Sequence, residues 1–169
     1  MRFHLTPEQV AIQDAVRGTL ADCWTIERLH VFADGDADFD PQSWDALMAL
    51  GIGGLALSEQ DGGAGLGLLE AALVCEVAGA TVAPGPLIGQ ILAAIAVSHC
   101  THAETRALLP GIAAGETVVA LALDGDLVPC ARAAHFLMAE DEAGGLRLVA
   151  TGEGMTIEAL PSTDRSRPV

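Results

Sequence analysis

The chain has 169 residues, of which 51% are hydrophobic and only 18% are charged. Such a composition can build a packed core and argues against intrinsic disorder. The formal net charge of −15, from 8 basic and 23 acidic residues, argues against a surface that binds nucleic acid.

The cysteines and the apolar segments indicate the cellular compartment of the protein. The four cysteines, at positions 23, 75, 100 and 130, include no CxxC pair and indicate reduced, mostly buried thiols. The amino-terminal segment lacks the apolar core of a signal peptide. The longest apolar stretch, 86–97, contains Gly89 and Gln90 and is too short to cross a bilayer. We therefore expect a cytoplasmic protein that binds neither nucleic acid nor a membrane.

The first 50 residues have the pattern of three helices. The segment Thr6-Pro7-Glu8-Gln9 is a capping box with proline at the first helical position. A second helical segment is predicted over 22–32, and Asp40 with Pro41 predicts the start of a third, which ends at Gly51. The residues of the first and third helices expected to face the core are Val10, Ala11, Ala15, Val16, Leu20, Trp44, Leu47, Met48 and Leu50.

Asp34, Asp36 and Asp38 have the spacing of the first ligands of a calcium-binding loop. Such a loop needs glycine at its sixth position and glutamate at its twelfth, where this chain has Phe39 and Asp45. We therefore favour a loop that leads into a capped helix over a metal site.

A glycine-rich loop, Ser58-Glu59-Gln60-Asp61-Gly62-Gly63-Ala64-Gly65-Leu66-Gly67, precedes the next helix. Loops of this kind at a helix start often bind phosphate. This one follows no clear strand, and no lysine of the P-loop type follows it. We therefore interpret its glycines as residues that allow positive φ and close packing in a bend.

Three further helical segments follow the glycine-rich loop. They are predicted over 68–80, over 87–99, which is the most apolar, and from a second capping box, Thr101-His102-Ala103-Glu104, to a stop near Gly115. His99, Cys100 and His102 cluster where the last two segments meet, but no third or fourth ligand accompanies them. We interpret this cluster as a helix end, so no metal ligands are assigned.

From residue 117 onwards the pattern changes to short β-strands. One strand is predicted over 117–123, two more around a Gly144-Gly145 turn, and a further strand over 154–160. The sequence thus predicts an α+β fold. An all-α domain of about six helices covers 1–116, and a partial antiparallel β-barrel-like domain covers 117–169.

The order of these motifs resembles the amino-terminal half of the acyl-CoA dehydrogenase family. The segment 44–54 is similar to that family's tryptophan-containing helix and turn, and 58–67 to its glycine loop, with Ser58 in place of proline and Asp61 in place of an aromatic residue. Glu76 matches the glutamate of the next family helix, and 109–116 resembles the family's Leu-Pro…Gly-Glu segment. The resemblance covers essentially the whole chain and is most specific from 44 to 123.

The resemblance implies an oxidoreductase that uses FAD to oxidise an acyl-CoA thioester at Cα–Cβ to the enoyl-CoA, and that works as a homo- or hetero-oligomer of dehydrogenase chains. It implies cofactor-binding positions at Leu121, Leu123, Asp124, Val128 and Pro129, and substrate-pocket positions at Leu87, Ile88, Ile91 and Leu92. Apolar residues at helical spacing are also typical of an ordinary core, so that alternative stays open.

The chain departs from the family pattern in two ways. The family continues after its first strand with a Thr-Glu-Pro-x-x-Gly-Ser-Asp segment, whereas here Asp124 replaces the threonine and the later glycine and serine are absent. The helical bundle that carries the family's catalytic base and most of its FAD site would lie beyond Val169, so no catalytic residue is assigned in this chain. Both departures weaken the expectation that this chain alone retains FAD or is active.

Two interpretations follow. In the first, the chain is part of a flavin-dependent acyl-CoA dehydrogenase that is completed by further sequence or by another chain. In the second, it is a degenerate, non-catalytic dehydrogenase-like subunit that serves as the structural partner in a heteromeric complex.

Overall fold

The computed structural model describes residues 4–123, 127–152 and 154–166, which form a helical body followed by a small sheet. The helices are α1 (Pro7–Cys23), α2 (Ile26–Asp34), α3 (Pro41–Ala49), α4 (Leu68–Ala80), α5 (Leu87–Ser98), α6 (Ala103–Arg106) and α7 (Leu109–Ala114). The strands are β1 (Val119–Ala122), β2 (Phe136–Glu140) and β3 (Leu146–Ala150). The α+β fold predicted from the sequence is confirmed. No helix among the described residues is long and apolar enough to cross a membrane.

The predicted caps of α1 and α3 are confirmed. At α1, Gln9 N donates to Thr6 Oγ1 at 3.2 Å and Thr6 N donates to Gln9 Oε1 at 2.9 Å. At α3, Ser43 N donates to Asp40 Oδ2 at 2.8 Å, with Pro41 at the first helical position. These hydrogen bonds satisfy N–H groups that the first turn of a helix leaves unpaired.

Asp40 provides a test of pH dependence. Burial raises the pKa of its carboxyl, but hydrogen bonds from Arg28 and Ser43 outweigh burial and hold the pKa below its ordinary value. A lowered pKa in the folded state stabilises the fold above the unfolded pKa, and this contribution is lost as pH falls through the folded value. Asp40→Asn keeps a cap acceptor but loses the charge, so we expect it to cost about 1–2 kcal/mol at neutral pH. The difference from the wild type should begin to shrink below roughly pH 4, where the carboxyl of the unfolded chain starts to protonate, and should be lost as pH falls through the lower folded value.

Urea unfolding of both proteins across this pH range measures the effect. The control is Asp14→Asn, because Asp14 pairs with Arg17 on the surface and both side chains are more than half exposed. Exposed pairs contribute little, so this control should change stability by under about 0.5 kcal/mol at every pH. If Asp40→Asn lowers the free energy of unfolding by the same amount from pH 7 to pH 3, the lowered pKa assigned to Asp40 is wrong.

The predicted capping box at Thr101-His102-Ala103-Glu104 is wrong. α6 begins at Ala103 after His102, whose side chain makes no capping hydrogen bond, and it has only four residues. The chain then starts a second short helix, α7, with Pro110 in its first turn. Since Pro110 has no N–H to continue an earlier helix, the segment is divided into two short helices.

The core lies between α1, α3, α4 and α5, and it buries fewer of the predicted residues than the sequence suggested. Val16 and Leu20 of α1 are buried, whereas Val10, Ala11 and Ala15 are exposed, contrary to the prediction. The buried stripe of α1 instead includes Ile12, one turn before Val16. In α3, Trp44, Leu47 and Met48 are buried as predicted, but Leu50 at the helix end is exposed.

The glycine-rich loop is a tight bend, as predicted. Gly62 and Gly65 have φ of +82° and +66°, in the left-handed region that glycine adopts without strain. A Cβ atom on Gly63 would lie 2.4 Å from the carbonyl oxygens of both Gly54 and Leu57. The loop therefore packs directly on the backbone of 54–57, and glycine is needed for that contact.

The three strands form one sheet in the order β1-β2-β3. The predicted hairpin is confirmed, because β2 and β3 pair antiparallel with Phe136 opposite Ala150. β1 pairs with β2 in parallel, with Val119 opposite Phe136, so the sheet is mixed. The strand predicted over 154–160 is wrong, because its described backbone pairs with no neighbouring strand.

Gln90 joins the helices to the sheet from a fully buried position on α5. Its Nε2 donates to Ile112 O at 2.6 Å and to Thr117 O at 2.9 Å, and its Oε1 accepts from Val119 N at 2.9 Å. The adjacent Gly89 lets the two elements approach closely, since a Cβ there would lie 2.9 Å from Val119 O. These contacts fix β1 alongside α5.

A second connection holds the sheet against the loop before α3. Arg132 Nε donates to Asp38 Oδ1 at 2.9 Å, and its guanidinium also binds Asp36. Ala133 N donates to Asp38 Oδ2 at 3.2 Å. Asp36 and Asp38, considered above as calcium ligands, thus bind an arginine, and Asp34 pairs separately with Arg165.

Candidate functional site

A cleft lies where α4, the loop 81–86, α5 and the end of β1 meet. Its volume is about 620 Å³, which falls in the range of roughly 300–1,000 Å³ typical of small-molecule sites. Its lining residues are mostly apolar or glycine: Asp38, Cys75, Ala78, Gly79, Val82, Ala83, Pro84, Gly85, Pro86, Leu87, Ile88, Gly89, Leu121, Leu123, Leu127, Pro129, Cys130 and Ser166. Such a lining suits an apolar ligand.

The cleft brings together five of the residues singled out in the sequence. Leu87 and Ile88, expected in the acyl pocket, lie at the start of α5. Leu121, Leu123 and Pro129, expected on the flavin side, lie at the end of β1 and in the segment before β2. Residues predicted for two different ligands thus share one surface.

The other predicted residues do not line the cleft. Ile91 is buried in the main core, and Val128 packs against that core. Leu92 packs against the second core cluster, which lies between α5, α7 and the sheet. Asp124 lies outside the described residues.

Sequence reasoning missed the α4 side of the cleft. Cys75, Ala78 and Gly79 line it from one face of the helix, and Val82 and Ala83 continue the wall beyond the helix end. Residues spaced by three and four lie on one helix face, so the spacing could have indicated a shared surface. The small side chains concealed it, because they also fit ordinary helix packing.

The backbone around the cleft is strained at two positions. Among the described residues, Val82 and Cys130 are the two non-glycine residues with positive φ, at 54° and 62°, and both line the cleft. Such conformations cost on the order of 1–3 kcal/mol and cluster at binding and active sites. Their coincidence at one cleft supports a functional assignment.

The described lining carries no free charge. Asp38 is its one carboxylate, and both of its oxygens accept hydrogen bonds, from Arg132 and from Ala133 N. Hydrogen bonds to Asp36 and Asp38 raise the pKa of Arg132 above its ordinary value. Burial raises the pKa of the Cys75 thiol, which keeps it neutral at pH 7. This surface can bury and orient an apolar group, but its described residues include no available acid or base.

Comparison with known proteins gives the family. Residues 6–116 match the profile of the acyl-CoA dehydrogenase N-terminal domain. The chain belongs to the acyl-CoA dehydrogenase family. This confirms the resemblance found in the sequence.

Individual relatives match only in part of their length. Acyl-CoA dehydrogenase IpdE2 of Mycobacterium tuberculosis is 35% identical over 94 residues, which cover 55% of this chain and 29% of that protein. IpdE2 of Mycolicibacterium smegmatis is 24% identical over 164 residues, covering 96% of this chain and 50% of the relative. The chain thus spans half or less of the length of these curated relatives.

Solved structures show the same relationship. The Tcur3481-Tcur3483 steroid ACAD G363A variant superposes with a TM-score of 0.81 at 30% identity, over 95% of this chain and 53% of that one. The ChsE4-ChsE5 complex from Mycobacterium tuberculosis gives a TM-score of 0.87 at 23% identity, over 99% and 54%. At that identity the second match supports the fold alone.

Proposed function

We propose that this chain forms one wall of the substrate and flavin site of an FAD-dependent acyl-CoA dehydrogenase, which oxidises an acyl-CoA thioester at Cα–Cβ to the enoyl-CoA. The observation that carries the proposal is the shared cleft. Leu87 and Ile88, expected to contact the acyl group, and Leu121, Leu123 and Pro129, expected to face the flavin, line the same apolar surface. Membership of the family supports the class of reaction.

In this site, the role of the chain is to bind and orient the substrate. Burying an apolar acyl chain is worth roughly 25 cal/mol per Å² of apolar surface. Holding the thioester in one position also lowers the entropic cost of reaction. We assign no proton transfer to the described lining, because its carboxylate, Asp38, is bound to Arg132. The base that removes the α-proton must come from outside these residues.

The described residues fit only part of FAD. Leu121, Leu123 and Pro129 offer an apolar surface suited to the isoalloxazine ring. The described lining holds no lysine or arginine for the pyrophosphate, which the cofactor needs elsewhere. When bound, FAD supplies the hydride acceptor of the reaction. We therefore propose that this chain contacts the ring and that other groups hold the phosphates.

We also propose a partner and a location. The solved neighbour at 30% identity carries two chain names, Tcur3481 and Tcur3483, and Leu123 and Leu127 leave apolar surface exposed around the cleft. Exposed apolar patches of this kind mark interaction surfaces. The chain is therefore expected to assemble with dehydrogenase chains, in the cytoplasm.

The alternative is a structural subunit whose cleft plays no part in turnover. The absence of a free ionisable group and of a phosphate partner from the described lining favours this alternative. The two functions differ in one respect that can be measured. In the enzyme proposal, changing the cleft of this chain alters the kinetics, whereas in the alternative it does not.

The test compares Ile88→Glu with Ile26→Glu. Each variant is made in the natural polypeptide and purified together with the chains that assemble with it. Ile88 lines the cleft and is 57% exposed, and Ile26 on α2 is 59% exposed and lies outside the cleft. Both substitutions add a carboxylate at an exposed apolar position, so neither should unfold the protein. The readout is the loss of flavin absorbance on anaerobic addition of acyl-CoA, with KM from steady-state turnover.

The enzyme proposal predicts that acyl-CoA reduces the flavin and that Ile88→Glu raises KM by about tenfold or more, because a charge in an apolar pocket is costly. Ile26→Glu should stay within about twofold of the wild type. If flavin is reduced and the two variants behave alike, the structural alternative holds. If the assembly contains no flavin, the enzyme proposal fails.

A further inference from the structure

We infer that Gly79 on α4 sets the size of the acyl group that the cleft admits, an inference that rests on the function proposed above. Among the described residues, three glycines line the cleft: Gly79, Gly85 and Gly89. The structure explains two of them by backbone geometry or packing. Neither backbone geometry nor packing requires glycine at the third position, and the inference rests on this contrast.

Gly85 and Gly89 are required by the fold. Gly85 has φ of +142°, and a Cβ there would lie 3.1 Å from the ring of Trp44. A Cβ on Gly89 would lie 2.9 Å from Val119 O and 3.1 Å from Leu121 N. Any side chain at these positions would strain the backbone or push α5 away from β1.

Gly79 has neither constraint. It lies in α4 with ordinary helical backbone, and a Cβ there would meet no atom within 4 Å. Glycine inside a helix lowers stability relative to alanine, because it has more freedom to lose on folding. The fold therefore accommodates a larger residue at position 79, and glycine there leaves space that packing does not need.

Gly79 is solvent-exposed and lines the cleft, so we place this open space in the cleft. Cys75, Ala78 and Gly79 are spaced by three and four residues, so their side chains project from one face of α4. All three line the cleft. A side chain at position 79 would project from this face, and the small residues beside it leave the cleft wide along α4. The ligand expected here is a thioester whose acyl group is broad, with rings or branches, rather than a short linear chain.

The test compares Gly79→Leu with Gly18→Leu. Gly18 lies in α1, a Cβ there also meets nothing within 4 Å, and the residue does not line the cleft. Both glycines are helical and have open space around them, but Gly79 lies in the last turn of α4 and lines the cleft, whereas Gly18 lies further inside α1 and does not. The probes are lithocholoyl-CoA, which carries a ring system, and butyryl-CoA, which carries a short chain. Their Kd values are measured on the natural polypeptide, purified together with the chains that assemble with it.

We expect Gly79→Leu to raise the Kd of lithocholoyl-CoA by about tenfold or more. The Kd of butyryl-CoA should stay within about twofold, because a short chain leaves the α4 side of the cleft unfilled. Gly18→Leu should change both values by less than about twofold. Gly79→Ala adds a single methyl and keeps the test open if leucine disturbs α4. For it we expect a smaller loss, of about twofold to threefold, that is again confined to the bulky thioester.

Each of the other possible results contradicts one specific claim. If wild-type protein binds both thioesters and Gly79→Leu and Gly79→Ala leave their ratio unchanged, the role of Gly79 is wrong while the proposed function stands. If Gly79→Leu and Gly18→Leu weaken binding equally, the effect is on stability and the inference is again wrong. If wild-type protein binds neither thioester, the proposed function fails, and the inference with it.

Discussion

Gln90→Met is expected to destabilise the protein by about 3–5 kcal/mol. Methionine has nearly the length of glutamine, so the substitution removes the amide without opening a large cavity. It leaves Val119 N–H without its partner and removes the donor to the carbonyls of Ile112 and Thr117. These groups surround a side chain with no exposed surface, so water cannot replace the lost hydrogen bonds.

The measurement is urea unfolding followed by circular dichroism, with Gln60→Met as the control. Gln60 is exposed at the start of the glycine-rich loop, and the same substitution there should cost under about 0.5 kcal/mol. A loss below about 1 kcal/mol for Gln90→Met would show that the amide does not join α5 to β1 as described. Because this junction positions Leu121 against the cleft, the variant should also bind acyl-CoA more weakly.

Gly63→Ala is the second substitution with a large expected effect. It should lower the free energy of unfolding by about 3 kcal/mol or more. A Cβ at this position would lie 2.4 Å from Gly54 O, Leu57 O and Leu57 Cβ. Two of these three atoms belong to the backbone, which cannot rotate away as a flexible side chain can. Gly53 is itself pressed against Ala113 O, with a Cβ distance of 2.4 Å, so the 52–57 segment has no room to retreat.

The control is Gly18→Ala, a helical glycine with open space around it. This substitution should stabilise α1 by about 0.5–1 kcal/mol, which is the opposite sign. Both variants are compared by thermal and urea unfolding. If Gly63→Ala is as stable as the wild type, the loop is not the close-packed bend described here.

The parts of the fold that the sequence predicted correctly depend on local chemistry. The caps at Thr6 and Asp40 are determined by residues within one helical turn, and so is the left-handed turn at Gly62. The strand predicted over 154–160 failed because a strand needs a partner that is distant in sequence. The capping box at Thr101 failed because α6 begins one residue later than the box requires, with His102 at the cap position and no side-chain capping hydrogen bond.

The site was predictable only in part. The resemblance to the family indicated Leu87 and Ile88, but it could not separate them from Ile91 and Leu92, because α5 is apolar on nearly every face. When all faces are apolar, periodicity does not show which one faces a ligand. The α4 wall was missed for the opposite reason, since Gly79 carries no side chain that could indicate a ligand.

The central claim is that an acyl-CoA thioester occupies this cleft, and alkylation of Cys75 tests it most directly. Cys75 lines the cleft, whereas Cys100, also half-buried, lies in the loop after α5 and outside it. The assembly is treated with iodoacetamide at pH 8–9, because burial raises the pKa of Cys75 and slows its reaction. Mass spectrometry follows each thiol with and without saturating lithocholoyl-CoA.

The account predicts that the thioester slows alkylation of Cys75 by about tenfold or more and leaves Cys100 unchanged, since occupancy near 90% leaves a tenth of the sites open. Equal rates at Cys75 with and without ligand, or equal protection of both cysteines, would contradict it.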